Sequence, residues 1–347
     1  MNSIDLLHDY NVLFLAAGYG TRIAREIRAD TSGSYSHLLH LPKALLPVGG
    51  LPLLDHWLRL LKDYNEANQL KKQLDQAEQT KPQEQFSNIF VVTNDMFLPQ
   101  FLVWAAAAGV PYANIISDHT SSNDLRLGSV QDLNLAIDHF HLQSRPLLVL
   151  AGDTLPLTDF SLVDFIAQAL SLLPSSLVTS YTVAHDNDTL KTGILEVETA
   201  SHCSHSSPGV VLERPSESSI ARSTAITASL STHGASTDPP LRVCSFLEKP
   251  HPSATLSRLA CPCLYFLSPQ ALNLLPVFLA ESKVRFEAGK YDKGSLLDHI
   301  DASGKFIAWL IHRHPTYAYR ISGRLDIGGL SSYIQADAYV CNNNGLS

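Results

Sequence analysis

Short apolar runs, each followed by a small or polar residue, limit most strongly what this sequence can fold into. Three of them are Val12 to Ala16, Ile89 to Thr93 and Leu147 to Ala151, and helix-like segments such as Leu51 to Lys62 lie between such runs. Buried strands that alternate with helices are typical of an α/β fold, whose ligands gather beyond the carboxyl ends of the strands. We therefore expect a three-layer α/β/α sandwich with a mixed, mainly parallel sheet.

The pattern changes in the second half of the chain, where the apolar runs become shorter. A serine-rich stretch of low apolar content, residues 200–240, interrupts them and has the composition of a disordered or mobile insertion. The polar tract from Asp63 to Gln85 is predicted to be a solvated extension of the helix before it. We predict one domain over residues 1–347, with a first half at 10–175 and a second half at 176–340.

Composition excludes several classes of protein. The formal net charge of -8 argues against a nucleic-acid partner, which would need clustered Lys and Arg. No apolar stretch approaches the roughly 20 residues that span a bilayer, and the apolar run at the N-terminus lacks a basic region before it. The 5 cysteines are odd in number and show no zinc-binding spacing. We expect a cytoplasmic protein without a membrane partner, and the sequence leaves a homo-oligomer open.

The strongest local signal is the segment LAAGYGTR, which follows the first apolar run. A strand that ends in a glycine-containing turn exposes backbone N–H groups, and Gly18 and Gly20 let that backbone approach phosphate oxygens. Arg22 and, in the later segment PKALLPV, Lys43 add positive charge. The segment lacks the third glycine of the dinucleotide fingerprint and the GK[ST] ending of a P-loop, so by itself it also fits an ordinary turn between a strand and a helix.

Together, LAAGYGTR and PKALLPV resemble the signature of the sugar-phosphate nucleotidyltransferases, which include glucose-1-phosphate thymidylyltransferases and mannose-1-phosphate guanylyltransferases. The resemblance implies a Rossmann-like fold with a nucleotide-binding first half and an acceptor-binding second half. It implies that the nucleoside monophosphate of a nucleoside triphosphate is joined to a sugar phosphate, with release of pyrophosphate. It places Arg22 at the departing pyrophosphate and Lys43 at the reacting phosphate as catalytic residues. The loop that binds the nucleotide would comprise Ala17, Gly18, Gly20 and Thr21.

A metal site is predicted at two carboxylates. Asp153 follows the strand-like run LLVLA, and Mg²⁺ prefers carboxylate oxygens while keeping phosphates and waters as its other ligands. Asp326 lies in GRLDIGG, which resembles the family's Trp-x-Asp-Ile-Gly-Thr segment and supplies the second ligand. Arg324 stands there in place of Trp, and Gly329 in place of Thr.

Two further segments extend the resemblance to both substrates. SSNDLRLGSVQDL resembles the stretch that lines the nucleotide pocket, which implies nucleotide-binding roles for Asn123, Arg126 and Gly128. SFLEKP resembles the acceptor element, in which Glu contacts the sugar and Lys its phosphate. These acceptor roles fall on Glu248 and Lys249, with Gly193 facing the acceptor as well.

The sequence alone leaves three functions open. The resemblance favours a magnesium-dependent nucleotidyltransferase whose partners are a nucleoside triphosphate and a phosphorylated small-molecule acceptor. A second hypothesis is transfer to a non-sugar acceptor such as an amino-alcohol phosphate or a phosphonate. A third is a catalytically silent regulatory subunit that binds a nucleotide sugar. Cys263 replaces a glycine that is usual beside the acceptor, so the acceptor's identity is not fixed by the motif.

Overall fold

The computed structural model describes residues 9–75, 86–199, 241–291 and 294–344. The serine-rich stretch 200–240 and the end of the polar tract, residues 76–85, lie outside the described residues, so the predictions made for them stay predictions. Among the residues that are described, no helix is both long enough and apolar enough to cross a bilayer.

Short strands build the molecule, and their ranges agree closely with the apolar runs of the sequence. The observed strands Ile89–Thr93 and Leu147–Ala151 have the predicted bounds. In chain order the described strands are β1 (Asn11–Leu15), β2 (Pro47–Val48), β3 (Leu51–Pro52), β4 (Ile89–Thr93), β5 (Ile115–Ser117), β6 (Leu147–Ala151), β7 (Thr154–Pro156), β8 (Ser176–Thr182), β9 (Gly193–Thr199), β10 (Leu241–Glu248), β11 (Leu259–Cys261), β12 (Leu264–Leu267), β13 (Thr316–Arg320) and β14 (Arg324–Asp326).

Helices connect these strands and cover both faces of the sheet. The helix predicted from Leu51 begins at Leu53, because Leu51–Pro52 pairs as a strand, and it continues to Asp75. In chain order the described helices are α1 (Thr21–Ala29), α2 (Leu53–Asp75), α3 (Leu98–Ala108), α4 (Ser129–Phe140), α5 (Leu162–Ser171), α6 (Pro269–Leu272), α7 (Leu275–Glu287), α8 (Leu296–Ile300), α9 (Ser303–Leu310) and α10 (Leu330–Asn344).

One large sheet carries both halves of the chain. Within the described residues it has ten strands in the order β11-β9-β10-β13-β8-β12-β6-β1-β4-β5. Seven of them point in one direction, and β10, β11 and β12 run against them. The mixed, mainly parallel sheet predicted from the sequence is therefore confirmed.

Successive side chains of the central strands pack alternately into two separate cores. Val12 and Phe14 of β1 pack into one core, with helices α1, α2, α3, α5 and α10. Leu13 points to the other face and packs with α4, α6, α7 and α9. Because successive residues of a strand face opposite sides, a fully apolar strand is buried between two helical layers. This is the three-layer sandwich that the sequence predicts.

The apolar run CPCLYFL is divided between two strands. β11 ends at Cys261 and β12 begins at Leu264, with Pro262 between them. Proline has no N–H to donate to a sheet, so the ladder is interrupted at this point. The two parts then pair with different neighbours: β11 pairs with β9 and β8, and β12 with β6 and β8.

Candidate active site

A cleft of about 350 Å³ opens beyond the carboxyl ends of β1 and β6. Leu15 and Ala151, the last residues of these strands, both line it, and so do residues from the second half of the chain. This is the position at which ligands of open α/β sheets bind, because loops diverge there and leave a crevice. The cleft joins residues that lie far apart in the sequence.

The glycine segment forms the first wall of the cleft. Ala17 and Gly18 line it, and a Cβ on Gly18 would meet no atom within 4 Å, so the backbone is open to a ligand there. Gly20 directly precedes α1 with a φ of 61°, a left-handed conformation that suits glycine. Gly20 and Thr21 thus shape the start of the helix and do not themselves line the cleft.

Two carboxylates lie side by side in the cleft because β7 pairs with β14. Asp326 is the register partner of Thr154, which directly follows Asp153. The Thr154 hydroxyl oxygen lies 3.4 Å from Oδ1 of Asp153 and 3.4 Å from Oδ1 of Asp326. The backbone N–H of Ile327 also donates to the Asp153 carbonyl at 2.9 Å. The backbone therefore fixes the two carboxylates next to each other.

Each of these carboxylates is paired with a partly buried cation. Lys43 Nζ lies 3.0 Å from Asp153 Oδ2, and the lysine side chain is 20% exposed. Arg324 Nη1 lies 2.5 Å from Asp326 Oδ1, and the arginine side chain is 15% exposed. Charges this close in a partly desolvated cleft interact more strongly than surface pairs. The two ion pairs keep the cleft electrically balanced.

Arg324 is a site residue for which the family motif offers no role. Its Nε donates to the Tyr181 hydroxyl at 3.2 Å, and its Nη1 also lies 3.4 Å from the Thr154 hydroxyl. Burial works against its charge, but Asp326 and Tyr181 outweigh that effect and raise the pKa of the guanidinium above its usual value. Arg324 therefore stays charged inside the cleft.

The two carboxylates suit a hard divalent cation. Carboxylate oxygens are the ligands that Mg²⁺ prefers, and Asp153 and Asp326 both line the cleft and both lie 3.4 Å from the Thr154 hydroxyl. The described residues contain no group of three or more His, Cys, Asp or Glu side chains that could hold a metal. Water and substrate phosphates would have to complete the coordination, as they commonly do for Mg²⁺.

Arg22 lies at the edge of the cleft and not in its lining. Its side chain is 69% exposed and pairs with Glu26 at 3.1 Å. Glu26 also accepts the backbone N–H of Leu330 at 2.7 Å, at the first turn of α10. A Cβ on Gly329 would lie 2.4 Å from Glu26 Oε2, so the glycine found in place of threonine makes room for this contact. Glu26 joins the loop that follows Asp326 to the helix that carries Arg22.

Arg126 and Gly128, which the sequence predicts to bind the nucleotide, contact a loop of the second half. Arg126 Nη2 lies 3.2 Å from Asp301 Oδ2, and its Nη1 donates to the Asn123 carbonyl at 3.0 Å. Gly128 has a φ of 90°, and a Cβ there would lie 2.8 Å from the Asp301 Cα. Close packing against Asp301 is therefore a sufficient reason for glycine at this position. Arg126 and Gly128 line the cleft, whereas Asn123 does not.

Two of the residues predicted to bind the acceptor lie next to each other in the cleft. Glu248 is the register partner of Gly193 across β10 and β9, and both line the cleft. The ring of Phe246 lies between two glycines, since a Cβ on Gly193 or on Gly304 would come within 2.3 or 2.7 Å of it. Burial raises the pKa of Glu248, although Lys249 and Lys305 oppose this.

Lys249 and two cysteines lie near Glu248. Lys249 pairs with Glu248 at 3.9 Å but does not line the cleft. Cys261 and Cys263 both line it, and burial raises the pKa of Cys263 to about 12. Burial also raises the pKa of Cys261 well above its usual value. Both thiols therefore stay protonated at neutral pH, which makes them poor metal ligands or nucleophiles.

The structure brings most of the predicted site residues into one cleft. Those that line it are Ala17, Gly18, Lys43, Arg126, Gly128, Asp153, Gly193, Glu248 and Asp326, while Gly20, Thr21, Arg22, Asn123 and Lys249 lie outside its lining. Three lining residues that sequence reasoning gave no role are Asp132, Asp301 and Arg324. A signal for Asp132 was available, because it is an acidic residue beside the apolar stripe of α4.

Comparison with known proteins finds similarity of fold across nearly the whole chain. The solved structure of apo UDP-glucose pyrophosphorylase superposes with a TM-score of 0.58 at 14% identity, covering 96% of this chain and 99% of that one. A putative glucose-1-phosphate thymidylyltransferase from Bacillus anthracis gives 0.55 at 13% identity, with 96% of each chain covered. The UTP-bound UGPase from Acinetobacter baumannii gives 0.52 at 16% identity, with 97% of each covered.

These neighbours are sugar-phosphate nucleotidyltransferases by name, so the resemblance seen in the sequence is confirmed at the level of the fold. Sequence comparison adds nothing, since no protein-family model and no curated protein sequence matches this chain. Which reaction the cleft performs must therefore be argued from its own residues.

Proposed function

From the fold that this chain shares with the sugar-phosphate nucleotidyltransferases, we propose that it joins the nucleoside monophosphate of a nucleoside triphosphate to a sugar phosphate and releases pyrophosphate. The observation that carries the proposal is the arrangement in one cleft of two paired carboxylates, Asp153 with Lys43 and Asp326 with Arg324, beside an open glycine backbone. Carboxylates that can hold a metal, cations that neutralise phosphate charge and a backbone open to phosphate oxygens are together suited to phosphate transfer.

The reaction requires little covalent chemistry from the protein. An ionised phosphate oxygen of the acceptor attacks the α-phosphorus, and the bond from that phosphorus to the pyrophosphate oxygen breaks on the opposite side. The acceptor phosphate is already an anion at neutral pH, so no protein nucleophile or base is needed. Catalysis then rests on positioning and on neutralising negative charge.

The residues of the cleft divide these tasks. The backbone at Gly18 binds the phosphates, Lys43 neutralises charge at the reacting phosphorus, and Arg22, at the edge, stabilises the departing pyrophosphate. Glu248 binds hydroxyl groups of the acceptor, and Lys249 attracts its phosphate. Magnesium held by Asp153 and Asp326 would supply Lewis-acid stabilisation of phosphate charge. On binding it, the two carboxylates would exchange their present partners, Lys43 and Arg324, for the metal.

The first test is pyrophosphate release by the full-length protein with Mg²⁺. Five nucleoside triphosphates would be screened against sugar 1-phosphates and amino-alcohol phosphates, with Asp153→Asn and Lys43→Met as site variants. Removing one preorganised charge of this kind typically lowers the rate by about 10²- to 10³-fold. The exposed carboxylate Asp138, on α4 away from the cleft, gives the matched control Asp138→Asn.

The outcomes separate the three functions that the sequence leaves open. Release that needs a sugar phosphate and disappears in Asp153→Asn supports the proposal. Release with only an amino-alcohol phosphate supports the non-sugar acceptor. Binding of a nucleotide or nucleotide sugar, with no release for any pair, supports the regulatory subunit and contradicts the proposal.

A further inference from the structure

Asp132 is a buried acid that faces the cleft and has no hydrogen-bonding partner for one of its oxygens. It lies in the first turn of α4, is 7% exposed and lines the cleft. Its Oδ1 is buried and accepts no hydrogen bond from any residue that the structure describes. Buried polar atoms are normally satisfied, so an unsatisfied one that borders a cleft indicates a ligand atom.

The groups around Asp132 are mostly acidic. Asp118, which follows β5, and Asp301, which precedes α9, both repel a negative charge on Asp132. Asp118 is itself held by Thr120, and Asp301 is paired with Arg126. Tyr19, in the glycine segment, also lies close enough to interact with Asp132, and burial raises its pKa, so it stays neutral. Among the described residues, the charged groups that act on Asp132 are therefore acidic.

The acidic groups around Asp132 determine which part of a nucleotide can bind beside it. Phosphates are repelled by neighbouring carboxylates and are attracted to the end of the cleft that carries Lys43 and Arg324. The uncharged nucleoside is the part that tolerates this acidic end. We propose that Asp132 hydrogen-bonds the nucleobase of the donor nucleotide, at an edge with a donor and an acceptor side by side. The inference rests on the proposed function, since it requires a nucleotide in the cleft.

The protonation state of Asp132 allows its side chain both to donate and to accept a hydrogen bond. Burial, followed by the charges of Asp118 and Asp301, raises the pKa of Asp132 to about 8. At neutral pH the side chain is therefore a carboxylic acid, which donates one hydrogen bond and accepts another. Uracil, thymine, guanine, adenine and cytosine all present a donor beside an acceptor. An ionised carboxylate only accepts, so it loses one of the two bonds and gains an unfavourable buried charge.

The experiment compares nucleotide affinity at two pH values in the wild type and in Asp132→Asn. Asparagine has the shape of the neutral acid, and its amide both donates and accepts, but it does not titrate. The five nucleoside triphosphates are each titrated by calorimetry with Mg²⁺ and without acceptor, at pH 7 and pH 9. Asp138→Asn, on the exposed side of the same helix, is the matched control, and Asp132→Leu removes the hydrogen bonds while filling the space.

For the preferred nucleotide we expect the wild-type Kd to rise about tenfold from pH 7 to pH 9, because the competent, protonated fraction falls by that factor. Asp138→Asn should behave as the wild type, Asp132→Asn should lose this rise, and Asp132→Leu should bind more weakly at pH 7. If Asp132→Asn keeps the wild-type pH dependence, or the wild type shows none, the assignment of Asp132 is overturned while the nucleotide site stands. If no nucleotide binds the wild type, the proposed function itself fails.

Discussion

Arg324 holds the carboxylate that a metal would need, and this has a measurable consequence at the scale of one residue. Its guanidinium neutralises Asp326 in the same way that Lys43 neutralises Asp153. A divalent cation must therefore displace a bound cation from each carboxylate before it can use both. We therefore expect Arg324 to lower the metal affinity of the free protein and to become available to substrate phosphates once a metal is bound.

We predict that Arg324→Met binds Mn²⁺, used as a spectroscopic probe, more tightly than the wild type. Removal of one competing charge is expected to favour the cation by on the order of 1 kcal/mol, or about fivefold in Kd. Free Mn²⁺ would be measured by electron paramagnetic resonance without nucleotide. Arg320→Met, at an exposed arginine of β13, is the control. An unchanged or weaker Mn²⁺ affinity in Arg324→Met contradicts the competition.

The sequence predicts single residues well where a motif names them and poorly where only the fold brings them together. Lys43 and Asp153 are found from their motifs, and the structure places them 3.0 Å apart. The pairing of Arg126 with Asp301 spans two halves of the chain, so no local pattern indicates it. The acidic surroundings of Asp132 are not indicated by any local pattern either, because Asp118 and Asp301 come near it only in the fold.

At the scale of elements, the acceptor end depends on the close packing of a ring between two glycines. Phe246 of β10 contacts the positions where Gly193 and Gly304 would carry a Cβ. Glu248 lies two residues further along the same strand and therefore on the same face. Any shift of the ring is expected to move the carboxylate that we assign to the acceptor.

We predict that Gly193→Ala destabilises the protein by about 1–3 kcal/mol, as overpacking of a core usually does. Urea unfolding would measure the change, and the affinity for acceptor phosphate should fall in parallel. Gly193→Ala combined with Phe246→Leu should recover much of the stability, because leucine lacks the ring atoms that clash. Gly18→Ala, at a position with open space around it, should leave stability unchanged. A double variant no more stable than Gly193→Ala contradicts this account of the glycine.

Glu26 connects two further elements, α1 and α10. The backbone N–H of Leu330, and after it Arg22, lower the pKa of Glu26 below its usual value of 4.5. A carboxyl group whose pKa is lower in the folded state stabilises the fold above the unfolded pKa, and this contribution is lost as the pH falls through the folded value. The contact is therefore present at neutral pH and disappears in acid.

We predict that Glu26→Ala lowers the Tm at pH 7 and that the difference from the wild type shrinks as the pH falls below 4.5. Thermal unfolding followed by circular dichroism at a series of pH values would show this. Glu66→Ala, which removes an exposed pair with Lys62 on α2, is the control and should change the Tm little at any pH. A Tm difference that is independent of pH would show that the charge of Glu26 has no part in the contact.

Secondary structure is the level at which the sequence was most informative. The strands β4 and β6 match their apolar runs residue for residue, because fully buried strands leave a continuous apolar signal. The division of β11 from β12 is marked in the sequence by Pro262. The strands with which each part then pairs are set by the fold, and no local pattern indicates them.

At the scale of the whole molecule, both halves of the chain share one sheet. β12, from the second half, lies between β6 and β8 and pairs with both. The order of strands could not be read from the sequence, since apolar periodicity says which segments are strands but not which strands are neighbours. The cleft between the two halves follows from this shared sheet.

Residues 200–240 connect β9 to β10, and replacing them would test how far the fold depends on them. Thr199 and Leu241 are paired as neighbours in an antiparallel ladder, so the ends of the two strands already lie at hairpin distance. We predict that replacing residues 200–240 by Asn-Gly, a favoured two-residue hairpin turn, leaves the fold and nucleotide affinity intact. Circular dichroism and calorimetric titration of the shortened protein would measure both. Loss of nucleotide binding in a folded variant contradicts the prediction.

The direction of β9 places the pair of Thr199 and Leu241 far from the cleft. The strand begins with Gly193 in the cleft and ends at Thr199, a run of roughly 20 Å at the usual rise per residue. We therefore expect that residues can be inserted or deleted after Thr199 while the end of the strand at Gly193 keeps its geometry. We likewise expect that a fluorescent reporter or a second binding module inserted between Thr199 and Leu241 would leave the cleft unchanged.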